Sequence, residues 1–229
     1  MSWFIKGIPT LKKPLARDSN GNHSDSTYGP LEPGCTRIFR ILHINPHVAL
    51  EVLAVSLDSC PDFEAISYAW EGQEPSETIT CNGQPYLITN TLLNAFRNIN
   101  GAMDLTWLWC DAISIDQSNL DEKGEQVKNM YRVFRQASRV IVWLGLASSD
   151  SDLAMTTIPR IWAKLKPLSE TGFEELQDNQ VYCVLPPDND HFWEALCRLG
   201  SRPWFQRLWI VQEAALASQL VFLCGQRSV

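Results

Sequence analysis

Glu213 is the side chain of this sequence whose surroundings most favour chemistry. The apolar spacing predicts a helix over Arg202 to Ala217, on which Trp209 and Glu213 stand four residues apart and share a face. The neighbouring face of that helix is apolar and carries Trp204, Leu208, Val211 and Ala215. A carboxylate beside an apolar stripe needs an ionic partner, a raised pKa or a ligand, and Arg202 and Arg207 are the candidate partners. A structural ion pair explains this pattern as readily as a catalytic carboxylate does, since both perturb a pKa.

A second group of polar side chains interrupts or follows a hydrophobic run. The run from Leu105 to Ile115 predicts a strand covered on both faces, Asp111 lies within it, and Asp116 and Gln117 stand at its carboxyl end. Ligands of open α/β sheets bind at the carboxyl ends of strands, so these side chains are candidate ligand contacts. Two structural alternatives stay open: Asp116 as a turn residue, and Asp111 as a hydrogen-bond acceptor within the sheet.

Aromatic residues end another candidate strand. Tyr68 and Trp70 close the strand predicted over Phe63 to Trp70, at an edge where a ring could stack on a planar ligand or pack in the core. The chain holds nine tryptophans, which fits a large core, a stacking pocket, or both. No Gly-rich phosphate loop, nucleophile elbow or zinc-ligand spacing is present in the sequence.

The elements that must position these residues alternate along the chain. Strand and helix patterns follow one another from residue 63 to residue 144, which predicts an α/β fold with a mainly parallel sheet flanked by helices. Two hairpins are predicted as well, one by the alternation in Thr36–His43 and Ala49–Leu57 and one by the dipeptide Asn82-Gly83. A capping-box pattern at Ser118 or Asn119 predicts the start of a further helix.

The chain is predicted to hold one domain with flanking and inserted loops. Residues 1–34 are predicted to form a leader or loop region, residues 35–229 the domain, and residues 166–190 an insertion within it. The helix predicted over 148–165 should break at Pro159. A helix over His191 to Leu199 and a strand over Leu220 to Cys224 follow.

Composition limits the partners. The net charge of −7 over 229 residues argues against nucleic acid or an anionic membrane surface as a ligand. Seven cysteines without a paired framework, no signal-peptide pattern and no apolar run longer than Val140 to Ala147 lead us to expect a cytoplasmic protein.

Three segments resemble one known family. Ala65-Ile66-Ser67-Tyr68-Ala69-Trp70, the run from Leu108 to Gln117 with Glu125 to Tyr131, and the run from Arg207 to Glu213 resemble the three signature blocks of the fungal heterokaryon-incompatibility (HET) domain. The blocks keep the family's order and lie within residues 63–225. Ser114 stands where the family usually has Cys, so this position is not an obligatory thiol nucleophile.

The resemblance implies a fold and a chemistry. HET domains are thought to be divergent relatives of TIR domains, so it implies a TIR-like, flavodoxin-like sheet with an added N-terminal β-hairpin. TIR domains that hydrolyse NAD carry a Trp four residues before the catalytic Glu, as Trp209 precedes Glu213 here. On this basis Glu213 is the expected catalytic residue and NAD the substrate, with no cofactor and no metal. The expected substrate-binding side chains are Tyr68, Trp70, Asp111, Asp116, Gln117, Arg207, Trp209 and Gln212.

The resemblance also implies a biological role. The family acts in non-self recognition and programmed cell death, with a homo-oligomer as the expected active state and an incompatibility protein as the expected partner. The alternative is a non-enzymatic TIR-like interaction module, in which Glu213 is structural.

Overall fold

The computed structural model describes residues 29–70, 72–99, 106–169 and 185–229. Within them, the strands form one sheet in the order β5-β4-β2-β1-β6-β3-β7-β8-β9. The strands are β1 Cys35–His43, β2 Ala49–Ser56, β3 Phe63–Tyr68, β4 Glu77–Cys81, β5 Gln84–Ile88, β6 Trp107–Trp109, β7 Val140–Trp143, β8 Leu220–Cys224 and β9 Arg227–Ser228. The predicted leader 1–34 and insertion 166–190 lie largely outside the described residues.

Helices cover both faces of this sheet. They are α1 Asn90–Asn98, α2 Asp111–Ser114, α3 Leu120–Gln136, α4 Ser151–Ser169, α5 His191–Gly200 and α6 Ile210–Ala215, with a 3₁₀ helix at Pro203–Gln206. Leu92 and Phe96 of α1 pack on one face, and Met130 and Phe134 of α3 pack on the other. The predicted α/β class is therefore confirmed.

The sheet is mixed rather than mainly parallel. Four neighbouring pairs are parallel, and four are antiparallel. Parallel pairing is continuous only across β6-β3-β7-β8, where every side chain of β3 and β7 is buried. Such continuous apolar strands need cover on both faces, which the helices supply.

Both predicted hairpins are present. β1 pairs with β2, and β4 pairs with β5 across Asn82 and Gly83, whose φ angles are 49° and 78°. Positive φ at both central residues is the requirement of the type I′ turn, which explains the Asn-Gly sequence. The first hairpin joins the parallel strands because β1 pairs with β6.

Order along the parallel strands creates a reversal point. In chain sequence the four strands run β3, β6, β7, β8, whereas in space they lie β6-β3-β7-β8. The chain therefore leaves β3 on one side and returns on the other, so β3 and β7 flank a topological switch point.

Two predicted elements end elsewhere. β6 stops at Trp109 instead of continuing to Ile115, because Asp111 Oδ1 accepts the backbone N–H of Ala112 at 2.8 Å and α2 begins there. α4 continues through Pro159. A proline inside a helix costs about 3 kcal/mol, and the packing of α4 on α5, which buries Ala154, offsets this.

Helix starts depend on side-chain caps. Thr89 caps α1, since its side chain accepts the N–H of Leu92. Asn119 caps α3 by accepting the N–H of Glu122 at 3.1 Å, which decides between the two capping patterns open in the sequence.

Candidate functional site

The candidate site lies where the parallel strands end. Ser67 and Tyr68 close β3 and Asp111 follows β6, so all three stand at the carboxyl edge beside the switch point between β3 and β7. The segment after α5 reaches this edge and contributes Arg207 and Glu213. Side chains that are far apart in the sequence thus lie together at the carboxyl edge of the parallel strands, where open α/β sheets bind ligands.

Glu213 is buried, with 2% of its surface exposed. The hydroxyl of Ser67 donates a short hydrogen bond to Glu213 Oε2, and Arg207 Nη2 lies 3.3 Å from Oε1. Burial raises the pKa of Glu213, the Arg207 charge and the Ser67 bond lower it, and Asp111 raises it. The carboxyl is therefore desolvated and only partly compensated, as a functional carboxylate often is.

Arg207 connects the edge of the sheet to this carboxyl. Its Nη1 donates to the backbone carbonyl of Tyr68 at 2.6 Å while Nη2 faces Glu213. Arg202, the other candidate partner, instead donates to the carbonyls of Leu144 and Leu146 at 2.7 and 3.0 Å. The structure therefore pairs Glu213 with Arg207, and Arg202 holds the end of β7.

Asp111 forms the second acidic position. Trp70 Nε1 donates to Asp111 Oδ2 at 3.1 Å, and Gln117 Nε2 donates to its backbone carbonyl at 2.9 Å. Burial raises the pKa of Asp111, while Arg207, the Trp70 bond and Lys123 lower it. Lys123 is itself buried, and its pKa is lowered by burial and raised by Asp111.

Of the two aromatic residues of the first block, Tyr68 lines the small cavity beside Glu213 and Trp70 does not. Successive side chains of a strand point to opposite faces, so Ser67 and Tyr68 diverge. Tyr68 and Trp70 stack on each other with centroids 6.1 Å apart, within the core cluster on the opposite face from Trp109. Burial raises the pKa of Tyr68 well above its ordinary value, and its hydroxyl has no hydrogen-bond partner.

The space among these groups is small. A cavity of about 10 Å³ is lined by Ser67, Tyr68, Trp109, Asp111, Arg207 and Glu213, among others. The site therefore accommodates about one water molecule as it stands.

The predicted helix over Arg202 to Ala217 is broken in two. The 3₁₀ helix ends at Gln206, α6 begins at Ile210, and Trp209 caps α6 without a side-chain bond. Of the predicted apolar face only Trp204 is buried; Ala215 is exposed, and the exposed fractions of Leu208 and Val211 are 76% and 66%. Tertiary contacts of Arg207 and Glu213 outweigh the helical periodicity here.

Three predicted site residues lie outside the cluster. Asp116 is a turn residue, since its Oδ1 accepts the backbone N–H and the hydroxyl of Ser118 at 3.0 and 2.6 Å. Trp209 and Gln212 are half-buried and do not line the cavity. Their roles in binding stay predictions.

Two contributors were missed from the sequence. Ser67 contacts Glu213 directly, and Trp204 Nε1 donates to Ser67 Oγ at 2.6 Å. The position of Ser67 inside the first sequence block was the available clue, because a polar residue in a strand covered on both faces needs a partner. Trp204 gave no such clue, since a buried indole is ordinary core.

Other site types find no support in the described part of the chain. No group of three or more His, Cys, Asp or Glu side chains there is arranged to hold a metal ion. No helix among the described residues is both long and apolar enough to cross a bilayer.

Comparison with known proteins places the chain in a family. Residues 63–213 match the family model described as "Heterokaryon incompatibility protein (HET)". The chain is 25% identical over 202 residues to "Heterokaryon incompatibility protein 6, OR allele" of Neurospora crassa, a match that covers 74% of this chain and 29% of that relative. No solved structure matches the chain. The match spans the three sequence blocks and the cluster around Glu213, and the chain belongs to the heterokaryon incompatibility (HET) family.

Proposed function

We propose that this chain is the HET module of a protein of fungal non-self recognition and programmed cell death, and that it acts by cleaving the nicotinamide–ribose bond of NAD. The observation that carries the proposal is the buried carboxyl of Glu213, held by Ser67 and Arg207 at the carboxyl edge of the parallel strands. The family membership supports the biological role, and the site supports the chemistry.

The strand order supports a TIR-like relationship. Numbered along the chain, the parallel strands lie in the order 2-1-3-4, which is that of the first four strands of a flavodoxin-like sheet. In such sheets ligands bind at the switch point, which here lies between β3 and β7. Ser67 stands on the carboxyl end of β3, next to that point.

Cleavage of NAD needs a carboxylate that stabilises positive charge, but it needs no strong general acid to protonate the leaving group. The bond between the ribose carbon and the pyridinium nitrogen breaks, the bonding electron pair stays on that nitrogen, and nicotinamide departs as a neutral base. Water then adds to the ribose carbon and releases a proton. The transition state resembles an oxocarbenium ion, as in glycoside hydrolysis. Ionised Glu213 would stabilise that positive charge and bind the ribose hydroxyls. Arg207 would meet the diphosphate.

Substrate entry requires the site to open. The cavity of about 10 Å³ cannot hold a nicotinamide ring. The residues between the 3₁₀ helix and α6 are the natural moving part, because helical hydrogen bonding is interrupted there and Leu208 is exposed. Displacing Arg207 from the Tyr68 carbonyl would free both the carboxyl and the guanidinium.

The alternative is a non-enzymatic interaction module. The small cavity and the mutual stacking of Tyr68 and Trp70 favour it, since both leave little room for a nucleotide. On this alternative Glu213 is a structural ion-pair residue, and the exposed side chains of Leu208 and Val211 belong to a contact surface for self-association or a partner protein.

Purified protein incubated with NAD separates the two, with nicotinamide release followed by chromatography in dilute and in crowded, assembled conditions. We expect release, its loss in Glu213→Gln, and its retention in the control Glu125→Gln, whose carboxylate is half exposed on α3. No release under any condition would favour the interaction module. A melting temperature raised by NAD without turnover would indicate a nucleotide sensor.

A further inference from the structure

We propose that Trp204 and Ser67 are positioning residues that direct a hydrogen bond at Glu213 and hold its carboxylate ionised and in a fixed orientation. The consequence for catalysis rests on the proposed function. The positioning itself is a property of the free protein and is tested without turnover.

The direction of the hydrogen bonds follows from donor chemistry. An indole nitrogen only donates, so Trp204 Nε1, 2.6 Å from Ser67 Oγ, makes the serine oxygen an acceptor. The single hydroxyl hydrogen of Ser67 is then free to point at Glu213 Oε2, with which it makes a short contact. The two hydrogen bonds therefore point in one direction, from Trp204 through Ser67 to Glu213.

This direction favours the ionised carboxyl. A carboxylate accepts at both oxygens, and here Oε2 faces the Ser67 hydroxyl and Oε1 faces Arg207. A proton on Oε2 would place two hydrogens in one short contact, so the serine hydroxyl would have to turn away. The charged groups that act on Glu213 are Arg207, which also favours ionisation, and Asp111, which opposes it.

The two positioning residues are rigidly placed. Ser67 lies on β3, which pairs on both sides with neighbouring strands. The Trp204 ring packs edge-on against Phe205 and Phe222, with centroids 5.0 and 5.5 Å apart. Neither group needs to move to make its bond, so the ordering of Glu213 is built in before any ligand arrives.

Trp109 supplies a matched control. It is buried and lines the same cavity, but its Nε1 donates to Thr36 Oγ1 at 3.0 Å and not to Ser67. Trp109→Phe and Trp204→Phe therefore each remove one buried hydrogen bond donated by an indole. Only Trp204→Phe removes a hydrogen bond of the series that leads to Glu213.

The test is a carboxyl ¹³C NMR titration of the free protein, in which the resonance missing from Glu213→Gln identifies Glu213. We expect Ser67→Ala to raise the pKa of Glu213 by about one pH unit, the size of one hydrogen bond to a charged group. Trp204→Phe should raise it by less, because Ser67 can still donate once its hydroxyl is free to rotate. Trp109→Phe should leave it unchanged.

An unchanged Glu213 pKa in Ser67→Ala, or equal shifts in the two Trp variants, would overturn the positioning role. If Trp204→Phe fails to fold, Ser67→Ala decides alone, because it removes a single oxygen. The titration also separates this proposal from the proposed function: an inactive protein with the expected shifts refutes NAD cleavage only, and an active protein without them refutes the positioning only.

Discussion

Two buried Arg–Glu pairs of this domain differ in how completely their hydrogen-bonding groups are matched. Arg37 and Glu122 face each other through two contacts, Nη1 to Oε1 at 2.6 Å and Nη2 to Oε2 at 3.1 Å. Arg207 reaches Glu213 through one contact of 3.3 Å. Both glutamates are at most 9% exposed.

The surroundings widen the difference. Arg37 also donates to the carbonyls of Gly29 and Ser114, and Glu122 accepts the backbone N–H of Asp116, so the pair ties β1 to the start of α3. Glu213 instead shares its neighbourhood with a second carboxyl, Asp111, and its pKa is raised by burial. The hydrogen-bonding groups of the Arg37–Glu122 pair are thus matched by partners, whereas the contacts of Glu213 only partly compensate the desolvation of its carboxyl.

The largest expected effect comes from breaking the satisfied pair. Arg37→Met should destabilise the protein by about 3–5 kcal/mol in urea unfolding, because it leaves Glu122 buried without its cation. The double variant Arg37→Met, Glu122→Gln should recover a good part of that loss. A single variant within about 1 kcal/mol of the wild type would show that the two pairs do not differ as described.

The second effect depends on pH. The pKa of Glu213 in the folded protein is raised above the ordinary value of 4.5. The contribution of Glu213 to the free energy of unfolding is therefore fully present below pH 4.5 and is lost as the pH rises through the folded-state pKa. Glu213→Gln does not titrate, so its stability relative to the wild type should increase over that window. Thermal unfolding from pH 4 to pH 8 measures this, and a constant difference would contradict it.

The smallest expected change in stability comes from an exposed ion pair, which serves as the reference for the two buried pairs. Lys128 and Glu125 form an exposed pair on α3 at 3.5 Å. Lys128→Gln should change the free energy of unfolding by less than about 0.5 kcal/mol, because exposed pairs are screened by water and salt. A loss as large as that of Arg37→Met would mean that burial is not what distinguishes these pairs.

Local sequence signals predicted much of the fold. The Asn82-Gly83 turn, the Asn119 cap and the strand over Leu220 to Cys224 each depend on neighbours in the chain, and the structure confirms all three. The candidate site could be predicted only in part from the sequence, because contacts between segments far apart in the chain determine which side chains form it. Arg207 and Arg202 are equivalent partners for Glu213 in the sequence, and only the tertiary structure sends Arg202 to the end of β7.

The errors have the same origin. The periodicity over Arg202 to Ala217 is helical, but the contacts of Arg207 with Tyr68 interrupt the helix. Ser67 was overlooked because its importance comes from Glu213, a residue 146 positions away. Sequence pattern indicates which residue types are unusual, and the fold decides which of them meet.

The one-water cavity has a consequence for the proposed binding of a nucleotide. If only a fraction of molecules is open at a given moment, the apparent dissociation constant is the intrinsic one divided by that fraction, so each tenfold rarer open state weakens binding tenfold. A partner or second copy that binds the open conformation pays this conformational penalty in advance and strengthens nucleotide binding by the same factor. By reciprocity the proposed nucleotide would then strengthen the proposed assembly to the same extent, so that a contact at the surface would raise the affinity of the buried site.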